Sequence, residues 1–315
     1  MARGEAEPPH LAAIEELAAG GEVAMGAGAP VIPGRRPGQI ARRLLLYGFM
    51  IVVGLLFLVP FLWSLSTSFM PLPETAQGFH LIPNDPTIHA YHDLLTNPII
   101  NFVRVYGNSW LLAVSVTLTN LVLASLGGYA FARLRFPGRE LLFLLVLATL
   151  MIPDQLRLVP VFQMLSNFPL FHWNLINTYQ GYILISVVTA VNLFLMRQYF
   201  LTIPKDYEEA ARLDGAGHFK TFLRVMLPLA GPALAAVTIL TFQGTWNDFF
   251  WAITVLQDPS HYNVNVAIQQ FVQQYDTLWP QLMAGSVLAI APIAIIYFIF
   301  QRYFVAGVAA AGVKG

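Results

Sequence analysis

The sequence contains no cysteine, which excludes disulfides, thiolate metal sites and cysteine nucleophiles while leaving the redox compartment undecided. Charge is scarce as well. Only 11% of the 315 residues are Asp, Glu, Lys or Arg, against 57% hydrophobic, and the 17 acidic residues cancel the 17 basic ones. A chain without net charge gives no electrostatic case for nucleic acid, so its charges matter through where they sit. Catalytic signatures are missing too: there is no G-x-x-x-x-G-K-[ST] phosphate loop, no H-E-x-x-H and no G-x-S-x-G. His89 and His92 lie three apart without an acidic partner pattern, which reads as two surface histidines rather than a zinc site.

What is present is long apolar runs and a mean hydropathy of +0.61, the signature of a polytopic membrane protein. Runs at 44–63, 105–131, 140–159 (interrupted at Pro153), 178–200, 229–256 and 282–303 are each near the roughly 20 residues that cross a bilayer core. Arg35, Arg36, Arg42 and Arg43 precede the first run. Arg133, Arg135 and Arg139 follow the second, and Arg197, Lys205, Arg212, Lys220 and Arg224 follow the fourth. The other side carries Arg104 and Arg157, and 257–281 has no Lys or Arg. By the positive-inside rule both ends are cytoplasmic. The expected fold is an all-α membrane protein of six transmembrane helices. Its expected parts are a disordered cytoplasmic tail (1–38), a first transmembrane helix with an extracellular loop (39–103), a transmembrane domain (104–303) and a C-terminal tail (304–315).

One polar stretch interrupts the apolar pattern: YEEAARLDGAGHFKTFLRVMLPL, residues 207–229. Pro204 suits a first helical turn, and Asp206, Glu208 and Glu209 stand where the helix dipole favours carboxylates. Tyr207, Ala210, Ala211 and Leu213 recur at helical spacing and predict a small apolar face open to close approach. Gly215, with Ala216 and Gly217, stops this helix through glycine's access to the left-handed conformation. A second helix is expected over 218–226, ending where Pro228 opens the next apolar run.

Glu209-Ala210-Ala211, three residues, Gly215, nine residues, then Val225-Met226-Leu227-Pro228 resembles the EAA loop of the permease subunits of bacterial ABC importers. Val225 stands where that pattern has Ile. The ending QRYFVAGVAAAGVKG is similar to that of the carbohydrate branch of these permeases. The resemblance implies a coupling loop (202–228, between spans four and five) that docks on a cytoplasmic ATPase through Glu208, Glu209, Ala210, Ala211, Asp214, Gly215, Leu227 and Pro228. It further implies a second permease chain, an extracellular solute-binding protein and a sugar substrate. No cofactor is expected on this chain; ATP and Mg would be bound by the partner ATPase subunits. The C-terminal tail is expected to reach the ATPase interface, or else to be a frayed end.

Within the fifth run Gln243, Trp246, Asn247 and Asp248 interrupt an apolar helix. Gln243 and Asn247 are four apart and share one face with Trp246 at its border. Such amides beside a ring suit a sugar path, and equally suit hydrogen bonding between helices. Asn192 in the fourth run has the same two readings. An ionisable group in the membrane is costly, so Asp248 is expected to face protein or water. The outer loop 263–283, with Gln270, Gln274, Tyr275 and Trp279, suits contact with the solute-binding protein or a surface helix at the membrane interface. The rival classes are an intramembrane enzyme, for which no paired nucleophile and base is visible, and an ion-coupled carrier, which needs carboxylates in more than one span.

The charge pattern generates a topology test on a cysteine-free chain. Thr87→Cys or Ser260→Cys is expected to react with an impermeant thiol reagent outside intact cells, and Gly138→Cys or His218→Cys to stay unlabelled. Outside labelling at position 218 would reverse the orientation.

Overall fold

The computed structural model describes residues 37–78, 80–98, 100–169, 172–272 and 277–312. The tail expected over 1–38 therefore lies outside the described residues except for Pro37 and Gly38, as do the last three residues of the chain. Among the described residues the structure is helical, with two isolated β-bridges and no strand.

The chain divides into two units, 1–58 and 59–315. The first helix, α1 (Pro37–Thr67), starts in one and ends in the other. In the first unit Leu44, Leu45, Phe49, Met50, Leu56 and Phe57 are all exposed. An apolar run of this length with its side chains exposed is suited to lipid contact.

In the second unit α2 (Leu72–Thr75) and α3 (His89–Thr96) precede the long α4 (Phe102–Arg133). Next come α5 (Arg139–Ala148), continued by a 3-10 turn at Thr149–Met151, and α6 (Asp154–Ser166). They are followed by α7 (Tyr179–Ile185), α8 (Ala190–Thr202), α9 (Asp206–Leu213), α10 (His218–Thr221) and α11 (Gly231–Trp246). The chain closes with α12 (Phe250–Val255), α13 (Val264–Gln269) and α14 (Trp279–Gly312).

Among the described residues three helical stretches are long and apolar enough to cross a membrane: 42–67, 102–133 and 279–299. Three further candidates are bent pairs. The chain turns by 106° between α5 and α6, by 50° between α7 and α8, and by 77° between 218–229 and α11. The first bend falls at Pro153, where the sequence predicted an interruption, because proline breaks the i→i−4 ladder and keeps the preceding residue out of the helical region. The expectation of one continuous span over 229–256 is corrected: α11 ends at Trp246, and α12 starts only at Phe250. Asp248 stops it by turning its carboxylate onto the backbone N–H groups of Trp251 and Ala252, at 3.3 and 3.2 Å, a local bond that competes with the helix. The last helix runs on past the expected end of the span, its backbone staying helical to Gly312 through an alanine-rich stretch.

The core forms around α4, which packs along α8 and α11. Near the Arg133 end, Tyr129, Met196, Phe200, Phe222 and Met226 close one apolar cluster. Near the Phe102 end, Leu94, Val105, Val264, Ile268 and Ala284 close another. The contact of α4 with α8 depends on Gly128. A Cβ there would lie 2.6 Å from Met196 Cβ and 2.9 Å from the Arg197 backbone nitrogen, so the backbones touch directly. Gly128→Ala is expected to lower the thermal stability of the purified protein by an overpacking cost of about 1–3 kcal/mol. An unshifted melting curve would show that α4 and α8 separate freely.

Candidate functional site

The 206–229 stretch folds as a helix, a tight turn and a second helix. Gly215 takes φ +76°, and its N–H donates to Arg212 O (2.9 Å) while Ala216 N–H donates to Ala211 O (2.9 Å). These two bonds form a complete Schellman cap, with Asp214 as the C-cap residue. Beyond α10 the backbone widens into a π-helical turn, Phe222–Met226, before Leu227–Leu229. Pro228 explains the widening, since it donates no bond and crowds the carbonyl four residues back, that of Arg224. Such π-turns recur at functional sites.

The two adjacent glutamates point opposite ways. Glu209 is exposed. Glu208 is buried beneath α9, its Oε1 3.7 Å from Arg133 Nε, with side chains 8% and 5% exposed. The predicted apolar face is likewise divided: Ala211 turns inward, while Ala210, Tyr207 and Leu213 are exposed. Leu213 at 90% and Phe219 at 66% exposure, with Tyr207 and Leu223, make an apolar surface on an otherwise charged stretch. Leu227 is half-buried and Pro228 exposed. Beside the stretch lies a cavity of about 950 Å3, lined by Arg133, Arg135, Arg139, Lys205, Arg212 and His218 against Glu208 and Glu209.

The residues predicted for a substrate path separate. Trp246 is 1% exposed, edge-on to Tyr106 and Trp110, and donates from Nε1 to Ala289 O (2.9 Å). Asn192 is buried and donates to Asn120 Oδ1 (2.9 Å) and Thr241 Oγ1 (2.8 Å). Asn120, which no sequence motif singles out, also donates to Ser186 O (2.7 Å) and accepts from Thr189 N (3.1 Å), bridging the break between α7 and α8. Asp248 accepts from the Tyr182 hydroxyl (2.8 Å). Gln243 and Asn247 alone of this set are exposed.

At the outer loop Gln270 and Trp279 are exposed, and Gln274 and Tyr275 lie outside the described residues. Asn108 anchors the start of this loop, donating to Ser260 O and Tyr262 O (2.9 and 3.0 Å). Among the described residues no group of three His, Asp or Glu is placed to hold a metal.

Long apolar helices together with bent apolar helix pairs place the chain among helical membrane proteins. The chain belongs to the family of binding-protein-dependent transport system inner membrane components, whose family model matches residues 123–310. It is therefore a multi-pass inner-membrane protein. Over 284 residues it is 35% identical to the arabinooligosaccharides transport system permease protein AraQ of Halalkalibacterium halodurans, covering 89% of this chain and 99% of that one. Over 280 residues it is 33% identical to the trehalose/maltose transport system permease protein MalG of Thermococcus litoralis, covering 88% and 99%. Among solved structures, a chain of a bacterial ABC transporter that imports the acidic polysaccharide alginate superposes with a TM-score of 0.73 at 26% identity, covering 86% of this chain and 99% of that one.

The contrast between Trp246 and Gln243 is measurable. Trp246→Ala removes a buried ring and is expected to cost about 3–5 kcal/mol of stability, whereas the exposed Gln243→Ala should stay within about 0.5 kcal/mol of the parent. Equal melting shifts for both would contradict the inward placement of the indole.

Proposed function

We propose that this chain is one of the two permease subunits of an ATP-driven sugar importer, with 202–228 as the loop that couples it to cytoplasmic ATPase subunits. The observation that carries the reading is the apolar surface at Tyr207, Leu213, Phe219 and Leu223, exposed on a charged element outside the apolar spans. Bare apolar surface in water marks a docking site. The flanking Glu209, Ala210, Asp214 and Gly215 belong to the same EAA-type pattern. The α5–α6 pair, the α7–α8 pair and α11 then count as one span each, which with the three straight helices gives six, both termini cytoplasmic and the coupling loop between spans four and five.

The sugar assignment is supported by the relatives, whose names state arabinooligosaccharides, trehalose and maltose, and alginate. Gln243 and Asn247 face away from the packed core of this chain and suit the wall shared with the second permease. Gln270 and Trp279 suit the solute-binding protein. The chain does no chemistry: closure of the ATP-bound partner subunits displaces the loop, and the helices exchange between inward-open and outward-open states. The drive comes from the different affinity of those states for ATP.

Gly215→Leu forces a branched side chain into the left-handed region at about 1–2 kcal/mol, and Glu209→Lys reverses charge on the docking face. Both are expected to abolish uptake by the assembled complex while the protein still reaches the membrane. Uptake and stimulated ATP hydrolysis unaffected by both would remove the coupling assignment.

A further inference from the structure

We propose that the buried Arg133–Glu208 pair is the strut through which displacement of α9 reaches the membrane core, with Arg133 as a positioning residue shared by three elements. The proposal rests on the coupling role assigned above to 202–228.

Arg133 is the last residue of α4, and its guanidinium faces two ways. Nη2 donates to Phe200 O at 2.7 Å and to Ile203 O, capping the end of α8, where a cation also complements the helix dipole. Nε turns to the Glu208 carboxylate in the first turn of α9. Arg133 Nε and Glu208 Oε1 are both buried, and neither has a hydrogen-bond partner. The Tyr129 side chain, also on α4, hydrogen-bonds the Glu208 carboxylate as well, so α4 holds Glu208 through two residues while the two opposite charges face each other. The planar guanidinium meets both demands at once; a lysine ammonium is a single point on a flexible stem.

The rest of α9 is poorly anchored to the core. Tyr207 and Leu213 are exposed, Ala211 is its small buried residue, and its neighbours are α10 and the π-turn, the other half of the same element. Glu208 is thus the long side chain that ties α9 inward. A pull on the docking face is carried to the ends of α4 and α8 by this buried charge contact. Stability alone does not account for the pair, because a buried ion pair gains little over an apolar pair of equal volume. The position also separates the two glutamates by role: Glu209 meets the partner and Glu208 meets the core.

The test uses the full reconstituted complex and needs no sugar. Asn247→Cys serves as reporter, and its labelling by a bulky maleimide is timed with and without ATP plus vanadate, alongside ATP hydrolysis. With the strut intact the nucleotide is expected to change the labelling rate by about ten-fold. With Glu208→Gln, which keeps the carbonyl bonds of Arg133, that change is expected to shrink below about two-fold while hydrolysis stays near the parent rate. A merely structural role would lower assembly and hydrolysis together and leave the response of the assembled fraction unchanged. If Glu208→Gln fails to assemble, the apolar pair Arg133→Met with Glu208→Leu leaves no unpaired charge and is expected to give the same lost response. An undiminished response in these variants overturns the strut. If Glu209→Lys abolishes the response in that same case, the coupling role of the loop stands; if Glu209→Lys keeps it too, both fall.

Discussion

Every backbone group that a helix break exposes inside a bilayer must find a protein partner, because lipid offers none. This chain breaks its helices repeatedly, and α4 supplies much of the sealing. Asn120 receives the N–H of Thr189 and returns a bond to Ser186 O. Arg133 takes the free carbonyls of Phe200 and Ile203 at the end of α8. At the other end, Asn108 holds two carbonyls of the 260–262 turn, and Ser109 Oγ accepts from Val264 N (2.7 Å). The break after Trp246 is closed from α13 and its cap, by Asn265 to Trp246 O and Asn263 to Asp248 O (both 2.6 Å).

The distribution of these polar groups separates what the sequence discloses from what it hides. Gly215 and Pro153 act on their own backbone, so a single residue type is enough to place a left-handed cap and a bend; at Pro228 the sequence places a helix end but not the widened turn before it. Asn120 and Asn192 act across helices. An amide in an apolar run states that a partner is needed without saying which, and Asn192 therefore reads as a lesser path candidate or as a tie until Asn120 is seen 2.9 Å away. The same ambiguity hid the end of α11. Asn247 and Asp248 resemble polar guests inside a helix, but Asp248 closes the turn by bonding two residues of the next one. Glu208 and Glu209 show the limit most plainly: adjacent residues on a helix differ by about 100° in direction, and periodicity does not say which one meets the core.

The spatial sorting of the candidates follows from the same physics. Trp246 is a large ring with one donor, and it is accommodated where Ala289 O accepts that donor and Tyr106, Trp110 and Phe242 fill the space around it. Gln243, one turn earlier, and Asn247, at the cap, face outward and keep their amides unspent by the protein interior. An outward amide on a membrane helix is unfavourable against lipid, where its desolvation is uncompensated. It is favourable against water or a partner chain, which supports the proposed place of Gln243 and Asn247 on the wall shared with the second permease.

Exposed apolar surface carries opposite meanings along this chain, and the solvent decides between them. Leu44 to Phe57 on α1 and Leu118 and Val122 on α4 are exposed, yet they lie in runs long enough to meet hydrocarbon, where exposure has no cost to relieve. Leu213 and Phe219 are as exposed, but they are flanked by Arg212, Asp214, His218 and Lys220. Those charges hold the stretch in water. Water makes each bare side chain unfavourable by about 25 cal/mol per Å2 until something covers it. The turn at Gly215 presents Leu213 and Phe219 from the two halves of one tight, capped element, so covering them does not require the element to fold first. A surface that is apolar, held by a capped turn and flanked by charge needs little ordering to meet a partner, as the proposed coupling role requires.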